Sequence, residues 1–213
     1  FALGFTKEKI IETFYATSKY SYNQESKSWI TNFDLENYKR PIKLSYDLID
    51  AKNNKKVLGK GEKLNIVIAK KLLEKGLNSI SIPNEQIIGK YLGKDIKDKN
   101  GELLVGAGFD ITEEQLEKIL SLGQKELNIV NIDPINKGPY ILESLKIDKN
   151  LNKNDALNDI YKVLRPGEAP SVEIAEEIFK NLYFSKDRYD LSEVGRVKLN
   201  SKLNLDFKNR KTI

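Results

Sequence analysis

The residues best suited to chemistry in this chain are its arginines. Five of them, Arg40, Arg165, Arg188, Arg196 and Arg210, stand among 31 lysines (36 cationic residues less five). Where lysine is the default cation, arginine offers a planar fork of donors that grips a phosphate or a carboxylate at two points. Four of the five fall in the last 49 residues. Each has two readings: a contact to an external anion, or an ion pair with a nearby carboxylate such as Glu168, Asp187 or Asp190. The carboxylates offer less. Asp187 and Asp190 bracket Arg188, and Asp95 and Asp98 flank a turn. Neither pair has a third ligand at metal-binding spacing, so both read as turn-forming or ion-paired residues. Cysteine and histidine are both absent. That removes structural zinc, thiolate nucleophiles, Ser-His triads and histidine acid–base work. No catalytic and no metal-binding residue is expected in this chain.

The elements that must position these arginines follow from hydrophobic period and turn residues. Residues 6–18 read as a helix that Thr6 can cap, with Ile10, Ile11, Phe14 and Tyr15 on one face. Residues 20–22 and 28–33 read as short strands around a polar turn. An internal repeat follows. The segment 57–82 matches 104–129 at an offset of 104 − 57 = 47 residues. Gly59 pairs with Gly106, Gly61 with Gly108 and Gly76 with Gly123; Leu72 pairs with Ile119 and Ile82 with Ile129. Each copy reads as strand, glycine turn, helix, glycine stop, strand. In the second copy Thr112 and Gln115 form a capping box. Neither Gly-x-Gly is followed by a third glycine or by Gly-Lys-Ser/Thr, so these are turn glycines and no phosphate loop. Between the copies, 87–98 reads as a strand leading into a DKNG turn at 98–101.

The chain then becomes mainly helical. Helices are expected over 139–145 and 154–164, with breaks at Pro166 and Pro170 and an N-cap at Ser171. Ile174, Ile178 and Leu182, with Ala175 and Phe179, make one apolar stripe that reads as core. The fold class is α+β: a mainly helical domain, residues 1–25 plus 137–213, interrupted by an inserted α/β module, 26–136, that holds the strand–helix–strand repeat.

Bulk composition sets the outer bounds. A hydrophobic content of 39% and a charged content of 31% suit a globular chain. A net charge of +5 favours anionic partners. No apolar run approaches the roughly 18–20 residues that a membrane helix needs. The absence of disulfides agrees with the cytoplasm. A chain that starts at Phe1 and has no methionine is expected to be part of a longer polypeptide.

Three short patterns stand in order near the end: RPGE at 165–168, RYDLS at 188–192 and GR-x-K-x-N at 195–200. With ALGFTKEKIIETF at 2–14, they resemble the beta subunit of bacterial DNA-directed RNA polymerase. The resemblance covers 1–15 and 138–200 specifically and is looser between; the family usually has Met and Phe where this chain has Val197 and Leu199. It implies the lobe domain of that subunit with a lineage-specific insert. The implied function is transcription: a non-catalytic part of a nucleotidyltransferase, inactive alone, lining the promoter and downstream DNA channel. DNA-contact candidates by this resemblance are Arg165, Arg188, Arg196 and Lys198. Implied partners are the beta', alpha and omega subunits, sigma factor, DNA, and regulators docking on the lysine-rich insert. No cofactor is expected in this piece, since Mg2+ would be held by another subunit. A different class remains open on the residues alone: a free-standing single-stranded nucleic-acid binder using Tyr20, Tyr22, Trp29 and Tyr38 as stacking platforms.

Overall fold

The computed structural model describes residues 1–98, 100–133, 138–169 and 171–207. Pro170, Arg210, the boundary residues 136 and 137 and one residue of the DKNG turn lie outside that set. The architecture is α+β, and the named strands all pair antiparallel. The chain divides into two compact units, Lys7–Asp148 and Phe1–Thr6 with Lys149–Ile213.

The larger unit is built on a sheet. Helix α1 (Lys7–Phe14) leads into β1 (Thr17–Asn23) and β2 (Ser28–Asn32). The helix stops four residues earlier than its apolar face predicts. Thr17, Tyr20 and Tyr22 favour a strand, and Tyr15 turns inward to donate its hydroxyl to the Gly138 carbonyl at 2.7 Å. Then come β3 (Ile42–Lys43), β4 (Leu48–Asp50), β5 (Lys56–Leu58), β6 (Lys63–Leu64), α2 (Ile66–Glu74) and β7 (Ser79–Ile82). The unit continues through β8 (Ile96–Lys97), β9 (Leu103–Val105), α3 (Glu113–Ser121), β10 (Glu126–Val130) and α4 (Tyr140–Ile147). Six strands form one sheet in the order β10-β1-β2-β7-β4-β5. The long strand expected over 87–98 is instead two single bridges, Tyr91 to Asp110 and Leu92 to Ile129, before the short β8. The core is Trp29, Leu48, Leu64, Ile87, Leu92, Ile119 and Leu127 with their neighbours, each nearly or wholly closed to water.

Helix α3 starts 47 residues after α2 (113 − 66), and β9 and β10 start 47 after β5 and β7. Both helices end in the same way. Gly76 sits at φ +95° and Gly123 at φ +75°. Gly76 N–H donates to the Leu73 carbonyl and Leu77 N–H to Leu72; Gly123 and Gln124 repeat this on Leu120 and Ile119. Two orphan carbonyls are satisfied at each helix end, and only glycine enters that conformation without a penalty of roughly 1–2 kcal/mol. At the helix starts, Asn65 caps Ile68 N–H, and Thr112 forms a reciprocal box with Gln115. The hairpin β1–β2 lies between β7 on one side and β10 on the other.

The smaller unit is helical: α5 (Lys153–Leu164), α6 (Val172–Tyr183) and α7 (Glu193–Leu203). Helix α5 packs on α6. Its core is thin. Ala156, Leu157, Tyr161 and Ala175 are its only buried apolar residues among those described. The stripe on α6 is therefore only partly core. Ala175 is buried and Ile178 and Phe179 pack beside it, but Ile174 is 47% exposed and Leu182 38%. Periodicity reports an apolar face; it does not report whether another element covers it.

Candidate nucleic-acid interface

Among the described residues, two loops of the helical unit carry its exposed arginines. The first is the turn at 165–168. Helix α5 stops at Leu164 because Pro166 has no N–H and pushes the preceding residue out of the helical region. Arg165 is the cap, at φ −133° and ψ 74°, and its N–H donates to the Tyr161 carbonyl at 2.8 Å. Its side chain is 54% exposed and brings Nη1 to 3.5 Å from Glu168 Oε2. The same oxygen accepts the Tyr161 hydroxyl at 2.7 Å. That hydrogen bond, ahead of the charge of Arg165, holds the Glu168 carboxyl below the usual carboxylate range, and it pushes the phenol of Tyr161 up.

The second loop, 184–192, follows α6. Its frame is aromatic: the Tyr183 ring lies 6.0 Å from Phe179, 6.2 Å from Phe184 and 6.3 Å from Tyr189. Arg188 and Tyr189 N–H both donate to the Ser185 carbonyl, at 3.2 and 2.9 Å. Tyr189 is half-buried by this packing while Arg188 and Asp187 stay exposed. The two arginines thus sit at opposite ends of α6. A helix of 12 residues spans about 18 Å. Along one strand of duplex DNA that is about five phosphate steps.

The remaining candidates part company. Ser192 caps α7, accepting from Gly195 N–H at 3.1 Å. Arg196 and Lys198 lie two residues apart on that helix, a spacing that sends side chains to different faces. Lys198 is exposed; Arg196 is buried, at 7%. Burial takes the Arg196 guanidinium off the accessible surface. The sequence missed Tyr161 altogether: the signal was a tyrosine one turn before a helix end and seven residues before a glutamate, which only the turn geometry brings together.

The stacking alternative fares worse. Tyr20, Trp29 and Tyr38 are buried at 6%, 0% and 7%, and Tyr22 leans on Trp29 with ring centres 5.0 Å apart. Rings closed into a core cannot stack on bases. Burial also pushes the Tyr20 phenol up to about 12. The carboxylates at the DKNG turn serve the backbone: Asp98 accepts from Asn100 and Glu102 N–H, and Asp95 from Ala107 N–H. Among the described residues, no group of three carboxylates converges as a metal site would require. No helix among them is long and apolar enough to cross a membrane.

The model of the family described as RNA polymerase Rpb2, domain 2, matches residues 109–213, a span that takes in both arginine loops. The DNA-directed RNA polymerase subunit beta of Ehrlichia canis (strain Jake) is 42% identical over 207 residues, 96% of this chain. Those of Rickettsia massiliae and Rickettsia felis are each 40% identical over 213 residues, the whole chain. The chain belongs to the RNA polymerase beta-subunit family. It spans 15% of the length of each of these beta subunits. The likeness to beta runs through the sheet unit as well as the helical one, since it covers residues on both sides of Asp148.

Proposed function

We propose that this chain is the lobe segment of an RNA polymerase beta subunit, serving DNA-templated RNA synthesis without supplying its catalytic groups. In the assembled nucleotidyltransferase it lines the channel for promoter and downstream DNA. Its partners are then the beta', alpha and omega subunits and sigma, in the cytoplasm. On this reading Mg2+ and the groups that carry nucleotidyl transfer would be held by other parts of the assembled enzyme.

The observation that carries the reading is the exposure of both Arg165 and Arg188 on loops inside the family-matched span. Each presents a donor fork to a phosphate or base edge, and the helix between them fixes their separation. Lys198 adds a weaker point charge. Arg196 acts from inside, as support for α7. In polymerase reconstituted with this segment, Arg165→Ala and Arg188→Ala are each expected to shorten promoter-complex lifetime about five- to tenfold, with a salt slope about 0.9 shallower, while bond formation persists. Filter-binding lifetimes over a salt series measure both quantities. If neither variant changes lifetime or salt response, the reading is wrong.

By ancestry, the lobe is 1–25 with 137–213, and 26–136 is an insert built on the 47-residue repeat. Both copies, 57–82 and 104–129, fall wholly within it. Ancestry and compactness divide the chain differently, because β1 before the boundary pairs with β2 after it. The insert would dock transcription regulators. In support, the sheet unit has a cleft of about 600 Å³ edged by Lys27, Ser28, Tyr46, Lys60, Ser81 and Glu85, and Lys52, Lys55, Lys63, Lys70, Lys71 and Lys75 are exposed. Deleting 26–136 from the polymerase is expected to abolish pull-down of insert-dependent regulators; retention of every regulator would remove the docking role.

A further inference from the structure

Glu168 Oε2 is shared by two neighbours of unequal claim. The Tyr161 hydroxyl, at 2.7 Å, makes a full hydrogen bond. Arg165 Nη1, at 3.5 Å, makes a charge contact too long for one. An arginine beside a carboxylate ordinarily closes two parallel bonds on it. Here it does not, and Tyr161 stands where it can prevent this. Its ring is buried at 3% against Leu157 and Ala175, so the phenol cannot swing away. Its carbonyl meanwhile accepts Arg165 N–H at 2.8 Å, so one residue holds both the backbone of the arginine and the carboxylate beside it.

We propose that Tyr161 is a positioning residue for Arg165: by occupying Glu168 Oε2, its hydroxyl keeps the carboxylate from closing a two-pronged pair and leaves the guanidinium fork open to a phosphate. The assignment rests on the reading of Arg165 as a phosphate contact. The shift of the Glu168 carboxyl agrees with it, since the phenol outranks the arginine as its cause. Without the hydroxyl, the carboxylate turns to its next neighbour, the exposed side of Arg165, and the fork is spent inside the protein.

The experiment uses polymerase reconstituted with the beta polypeptide carrying Tyr161→Phe, which keeps the buried ring. Promoter-DNA affinity is expected to fall about 3–10-fold, and the slope of log affinity against log salt to become shallower by about 0.9, one phosphate contact. Adding Glu168→Gln to Tyr161→Phe is expected to restore both within twofold, because a neutral amide forms no ion pair. In an Arg165→Ala background, Tyr161→Phe is expected to change nothing further. An Arg165→Ala polymerase with wild-type affinity and slope would remove the phosphate reading itself, and this assignment with it. An Arg165→Ala defect with no Tyr161→Phe defect, or a Tyr161→Phe loss that persists in the Arg165→Ala background, would overturn the positioning role alone. A Tyr161→Phe protein that melts earlier but keeps its salt slope would overturn it too.

Discussion

Replacing Trp29 with alanine is expected to destabilise the sheet unit by about 3–5 kcal/mol, the usual range for emptying a large aromatic from a core. The indole is 0% exposed, on a central strand of the six-stranded sheet, opposite Ile82 on β7 and Tyr22 on β1. Few other side chains could collapse into the space, because those neighbours are held in ladder register on both sides. A domain of this kind has about 5–15 kcal/mol in all, so at least about a fifth of its stability is at stake. One feature works the other way. Among the described residues, Trp29 Nε1 is buried with no hydrogen-bond partner, and an unsatisfied buried donor costs about 1–3 kcal/mol. Trp29→Phe removes that donor while keeping most of the ring, so it is expected to cost far less than alanine. Urea midpoints read by circular dichroism compare the two. An alanine cost below about 1 kcal/mol would contradict the burial of this residue.

Local signals were legible wherever a short-range rule set the outcome. Helix α5 begins and ends within a residue of its predicted span, and α6 begins directly after Ser171 as expected. Gly123 ends α3, and Thr112 with Gln115 starts it, because a cap is a contact within four residues. Long-range competition was not legible. The end of α1 is set by a strand partner more than a hundred residues away, Thr17 opposite Val130, and no local pattern carries that. Ser171 stands at the start of α6 as expected, but its hydroxyl donates to Glu173 and makes no cap bond to the backbone. At the candidate interface, motif and order pointed to four cationic residues. The helix then separated two of them, because Arg196 and Lys198 share a motif but no face. Tyr161 stayed hidden because its partner is reached only through a turn whose shape depends on Gly167, at φ +92°.

The helical unit is expected to open far more readily than the sheet unit when this 213-residue chain is studied alone. Of 30 buried apolar residues described, only four lie in the helical unit, yet it holds 14 of the 24 large apolar residues that stand exposed. Val194, Val197 and Leu203 on α7, with Leu205 and Phe207 beyond it, are among them. Burial of a side chain of this size contributes about 1.5–3 kcal/mol, and isolated helices of 11 or 12 residues are marginal in water. Three such helices around four buried residues leave little surplus over the entropy of ordering them. Amide exchange is the direct measurement. Amides of 153–203 are expected to exchange at least a hundredfold faster than those of β1, β2 and β7, a gap of about 3 kcal/mol in opening free energy. Fluorescence of Trp29, the one tryptophan of the chain, should change only at higher urea, with the sheet. Equal protection in both units, or a single coincident transition, would mean that the exposed apolar surface is already satisfied within this chain. Slow exchange of 153–203 appearing only in assembled polymerase would instead locate the missing cover in the rest of the enzyme, which then supplies the packing that three short helices around four buried residues lack.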